Sequence, residues 1–66
     1  MKTTIGKVTV DTWCDPRSRN WVTYARLGLA EVSNPRTGET SEYTGNRASA
    51  TAAHADWVAA FAMGSN

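Results

Sequence analysis

The sequence predicts an α+β domain: a three-stranded antiparallel β-meander followed by one C-terminal α-helix packed on one face, in the order βββα. Three observations carry this expectation. Residues 1–44 are rich in β-branched and aromatic residues and are broken by two Asx-Pro loops. Residues 47–63 contain eight alanines and neither proline nor glycine. The whole chain has only 66 residues, with no linker, repeat or low-complexity tract to divide it, so residues 1–66 read as a single small domain.

The first strand is expected over about 3–13, with Val8 and Val10 on one face and Ile5, Lys7, Thr9 and Asp11 on the other. "DPRSRN" then turns the chain, because Asx-Pro and clustered polar residues initiate turns. "WVTYARLGLAEV" (21–32) is the second strand. Trp21, Ala25, Leu27 and Leu29 share one face, Val22, Tyr24, Arg26 and Val32 the other, and Gly28 marks a bulge or bend. "SNPRTGE" is a turn in which Pro35 presets φ and Gly38 takes positive φ. The third strand, 39–44, is short and polar except for Tyr43, as suits a sheet edge.

The period changes after Gly45. Asn46 is the expected N-cap, the helix runs over 47–63, and Gly64 stands where a helix ends. Ala50, Ala53, Trp57, Ala60 and Phe61, with Val58 alongside, form the stripe expected to lie on the sheet. One helix covers one sheet face, so the other is exposed, dimerised or bound to a partner.

The two loops echo each other: Asp15-Pro16-Arg17-Ser18, then Asn34-Pro35-Arg36-Thr37. In a meander they are two turns at opposite ends of the middle strand, about 40 Å apart if residues 21–32 ran straight. Arg17 and Arg36 are then not expected to share a ligand within one chain.

Composition narrows the function. A chain this short buries only about 60% of its unfolded surface, so a homodimer is a reasonable expectation. Cys14 is the only cysteine and His54 the only histidine, which excludes an intrachain disulfide and leaves no expectation of a metal site or cofactor. No run of about 18 apolar residues or signal-type leader is present, so the cytoplasm is expected and the membrane is not. Net charge is +1, modest for a dedicated nucleic-acid binder. His54 and Asp56, two apart on a helix, do not pair, and His54 is expected to be a partly exposed helix residue. A Cys14–His54 nucleophile pair is conceivable, but nothing in the spacing requires it.

Two resemblances follow from these elements. With "VTVDTWCD" as a first strand and "GNRASATAAHADWVAAF" as a first helix, the chain resembles the N-terminal β-β-β-α portion of ribonuclease H-like proteins. In that family a first-strand aspartate and a helix glutamate hold metal ions. Asp11 matches the first, and Asn46, Arg47, Ala52 and Ala53 fit the helix pattern, but Ser49 stands at the glutamate position. The resemblance therefore implies a truncated, vestigial, catalytically dead relative. "WVTYARLGLAEVSNPRTGE" is also similar to plant-type DNA-binding domains and the arm-binding domains of phage integrases, three strands and a helix that lay the sheet in the major groove.

The leading expectation is a small non-enzymatic binding protein, of the accessory or inhibitor kind found in phages and mobile elements, acting through a protein–protein interface. Trp21, Tyr24 and Arg26 are its candidate residues, with Arg17 and Arg19 at the rim, since Trp, Tyr and Arg are enriched in interface hot spots. The alternative is DNA binding through the sheet, with Arg17, Arg19, Arg26 and Arg36 on phosphates.

Overall fold

The structure, a computed structural model, describes residues 1–64. Its elements are β1 (Lys2–Ile5), β2 (Val8–Cys14), β3 (Trp21–Leu27), β4 (Ala30–Val32), β5 (Ser41–Thr44) and α1 (Arg47–Gly64). The α+β class holds: every strand pairing is antiparallel, and the C-terminal helix packs on the sheet.

The three expected strands are resolved into five, because two glycines fold strands that the sequence reading ran straight. Gly6 (φ +60) and Gly28 (φ +65) each take the first central position of a two-residue hairpin turn, while Lys7 and Leu29 keep negative φ. That is the Gly-first turn whose twist matches its flanking strands. The fold back also exchanges face parity. Ile5 pairs with Val8 and Val32 with Ala25, so Ile5 and Val32 join the helix-covered face rather than the opposite one.

β3 is the spine of the sheet. One edge pairs with β2 along its whole length; the other is shared by β4, opposite 25–27, and β5, opposite 21–24. Val32 faces Ala25 and Ser41 faces Tyr24, so β4 and β5 are collinear and residues 33–40 leave the middle of that edge. The two echoing loops are therefore not at opposite ends of a long strand. Only about 13 Å of β3 separates the rows from which they leave.

The echo is nevertheless real in three dimensions. Arg17 N donates to Asp15 Oδ1 and Arg36 N to Asn34 Oδ1; Arg19 N donates to Asp15 O and Gly38 N to Asn34 O. Asp15 N and Asn34 N close the loops on Asn20 O and Glu39 O, and the hydroxyls of Ser18 and Thr37 accept from the sixth residue of each. Four hydrogen bonds match one for one. The fifth residue is left-handed in both, Arg19 at φ 61 and Gly38 at φ 80.

Asn46 caps α1 as expected: its Oδ1 accepts from Ser49 N at 2.8 Å. The helix then lays Ala50, Ala53, Trp57 and Ala60 on the sheet, all buried, with Val58 and Phe61 partly so. Trp57, fully buried, packs with Val10 and Ala25, and its ring centroid lies 6.4 Å from that of Phe61. Alanine at 50, 53 and 60 lets the helix backbone approach closely enough for the Trp57 ring to fill the remaining space.

His54 departs from expectation. It is buried rather than partly exposed, because it lies on the same stripe as Ala50 and Trp57. Its Nδ1 is 2.8 Å from Thr12 Oγ1 and its Nε2 2.8 Å from Thr3 Oγ1; Thr12 Oγ1 in turn meets Thr23 Oγ1 at 2.8 Å. Thr12 and Thr23 are themselves fully buried. Each hydroxyl has a single proton, so the chain Thr3–His54–Thr12–Thr23 runs in one direction or the other, and either satisfies the neutral imidazole. Burial lowers the His54 pKa below its usual 6.5, the N-terminal ammonium adds to this, and Asp11 opposes it.

Candidate binding face

Strand alternation sorts the sheet into two faces. Val8, Val10, Thr12 and Cys14 of β2 share a face with Trp21, Thr23, Ala25 and Leu27 of β3, and the helix lies there. The opposite face has three rows. Trp13, Val22 and Tyr43 form one; Lys2, Asp11, Tyr24 and Ser41 the next; Thr4, Thr9, Arg26 and Glu31 the third. No element among the described residues covers these rows.

The first row is apolar and open. Trp13 is 45% exposed and Tyr43 66%, yet Val22 between them is only 8% exposed. The two flanking side chains therefore shelter the valine and leave their own outer surfaces to solvent. Trp13, Val22, Tyr24, Glu31, Ser41 and Tyr43 line a shallow depression of about 310 Å³. Arg26 closes the far side: its guanidinium lies 5.8 Å from the centre of the Tyr24 ring and 3.7 Å from Asp11 Oδ2, with Glu31 opposite in register. Both are partly exposed, so the pair contributes at most about 1 kcal/mol. Its consequence is that positive charge on this face is already balanced by carboxylates.

Of the residues predicted from sequence, Tyr24 and Arg26 lie on the uncovered face. Trp21 does not; it alternates to the helix side, opposite Thr44. Arg17 and Arg19 are exposed in the loop that joins β2 to β3, just beyond the Trp13 row. Arg36 lies in the second loop and lines a groove with Pro35, Ala59, Ala60 and Met63 on the helix side. The four arginines of the DNA-binding alternative are therefore spread over two loops and a strand.

Trp13 and Tyr43 are the face residues that the sequence reading passed over. The alternation of "VTVDTWC" places Trp13 with Thr9 and Asp11, away from Val8 and Val10. Tyr43 was legible only as the large residue of a polar edge strand.

Groups with possible chemistry do not converge. His54 has both ring nitrogens engaged by threonines, and Cys14 is exposed, so no Cys14–His54 pair forms. Asp11 projects to the uncovered face and Ser49 sits in the first turn of α1, on the other side of the sheet. Among the described residues no group of three or more His, Cys, Asp or Glu is placed to hold a metal ion, and no helix is long and apolar enough to cross a membrane. No family model matches the chain, and neither a curated protein nor a solved structure matches it.

Proposed function

We propose that this chain is a non-enzymatic binding protein, of the accessory or inhibitor kind, that docks on a protein partner through its uncovered sheet face. The observation that carries the reading is the row Trp13–Val22–Tyr43: two large, half-exposed rings around a sheltered valine, on a face that no other element covers. Aromatic anchors beside a partly desolvated arginine, here Tyr24 and Arg26, are the composition of interface hot spots. A protein partner is favoured over nucleic acid because Arg26 faces Asp11 and Glu31, so a phosphate chain crossing this face meets carboxylates.

The test is face-specific capture. Immobilised wild-type chain is expected to retain a protein from lysate after nuclease treatment. The double variant Trp13→Ser/Tyr43→Ser should lose it, and Asp56→Asn, on the exposed side of the helix, should keep it. Retention by the double variant, or material that vanishes with nuclease, would overturn the proposal.

A further inference from the structure

Building on that reading, we infer that the partner presents an arginine: its aliphatic stem lies on Val22 between the Trp13 and Tyr43 rings, and its guanidinium is taken by Tyr24 and the Glu31 carboxylate. Trp13 and Tyr43 stand on the strands either side of β3, about 10 Å apart at the backbone. The sheltered Val22 is therefore the floor of a slot wide enough for one side-chain stem. Of the residues that line the depression containing this slot, the single charged one is Glu31, so the depression complements a cation. Glu31 is exposed, and among the described residues its carboxylate has no ion pair or hydrogen bond. It faces Arg26 in register, but Arg26 is drawn to Asp11 on the other side of β3.

The chain itself supplies the template for this recognition. Arg26 lies 5.8 Å from the centre of the Tyr24 ring and 3.7 Å from Asp11 Oδ2, so this face already holds a guanidinium with one ring and one carboxylate. The depression repeats that pair, with Trp13 and Tyr43 as rings and Glu31 as the carboxylate. No lysine or arginine of the described residues lines it.

The acceptors select arginine among cations. Rings alone would suit a quaternary ammonium, which has no hydrogen bond to donate. Here the rings stand beside the Glu31 carboxylate and the Ser41 hydroxyl, which a guanidinium can serve with its five N–H donors while its plane stacks on a ring. Reach agrees with this. The Glu31 row lies about 13 Å from the Val22 row along β3, with the Tyr24–Ser41 row midway. An arginine whose stem lies on Val22 brings its head over Tyr24 and Ser41, and Glu31 meets it from the far row.

Peptide titrations followed by NMR test this. The probes are the end-blocked pentapeptide Ser-Leu-Arg-Leu-Ser and two counterparts, with citrulline (same shape, no charge) or trimethyllysine (charge, no donor) in place of the arginine. The arginine peptide is expected to shift signals of Trp13, Val22, Tyr24, Glu31 and Tyr43, to weaken with added salt, and to bind more tightly than either counterpart. Glu31→Gln, at an exposed position, should keep the wild-type circular dichroism. It should bind the arginine peptide about two- to fivefold more weakly and the citrulline peptide unchanged. No binding by the arginine peptide, tighter binding by the trimethyllysine peptide, or an unchanged affinity in Glu31→Gln overturns the inference. Equal binding of the citrulline peptide at Trp13 and Tyr43 also overturns it, but leaves the sheet-face reading standing.

Discussion

Thr12→Val is the most informative perturbation of the core. Thr12 is fully buried, and its hydroxyl serves two neighbours, His54 Nδ1 and Thr23 Oγ1, both at 2.8 Å. Valine keeps the shape and removes the hydroxyl, so both neighbours lose their shared partner in a place water does not reach. Each such orphan costs about 1–3 kcal/mol, giving a loss of about 2–6 kcal/mol for the pair. A chain of this size has a total stability of about 3–10 kcal/mol, so the variant should be visibly compromised. The assay is urea unfolding followed by tryptophan fluorescence and checked by thermal melting, where a fall of about 10 °C or more is expected. Thr12→Ser retains the hydroxyl and should lose far less. Thr12→Val/Thr23→Val removes one of the two orphans together with its partner, so its cost should be smaller than the sum of the single costs. A Thr12→Val protein within about 0.5 kcal/mol of wild type would refute the argument that this network is satisfied and buried.

Further outcomes follow from the same geometry. Because burial lowers the His54 pKa in the folded state, the unfolded chain takes up that proton first as pH falls; this contribution is fully present above 6.5 and declines as pH drops below it toward the folded value. The urea midpoint should therefore fall on acidification, and a flat or rising midpoint across that window would contradict it. Trp57→Ala, which empties the largest fully buried side chain, should cost about 3–5 kcal/mol and leave little folded protein by circular dichroism. Asn46→Ala, which removes the acceptor for Ser49 N, should cost about 1 kcal/mol in denaturant unfolding. Trp13→Ser/Tyr43→Ser removes the rings that shelter Val22, so it should cost about 1–3 kcal/mol in denaturant unfolding while leaving the chain folded; no loss at all would mean that the rings do not pack on the valine.

How much of this was legible in the sequence depends on the range of the interaction that decides each element. The helix, its Asn46 cap and its buried stripe are set by residues a few positions apart, and all three were readable. The hairpins at Gly6 and Gly28 were not. Their turns are Gly-Lys and Gly-Leu rather than Asn-Gly or Asp-Gly, so the glycines looked like interruptions within longer strands. That one omission propagated: it misplaced Ile5 and Val32 by a face and put the second loop at a strand end. His54 was misread for a related reason. Only the threonines of three separate strands make its burial tolerable, and that agreement exists only once the sheet is assembled. Among the candidate site residues, alternation correctly grouped Tyr24 and Arg26, but Trp21 was attached to them by proximity in sequence. Trp13, one strand away, occupies the place that Trp21 was expected to hold.

On the proposed function, the Trp13–Val22–Tyr43 row is open in the free chain and covered in the complex. Broadening of side-chain NMR signals by a soluble gadolinium chelate measures this residue by residue. The Trp13 and Tyr43 ring signals are expected to broaden in the free protein while those of Trp57 do not, and the captured partner is expected to protect Trp13 and Tyr43. Protection of Trp13 and Tyr43 in the dilute free chain, or continued broadening with the partner bound, would contradict it.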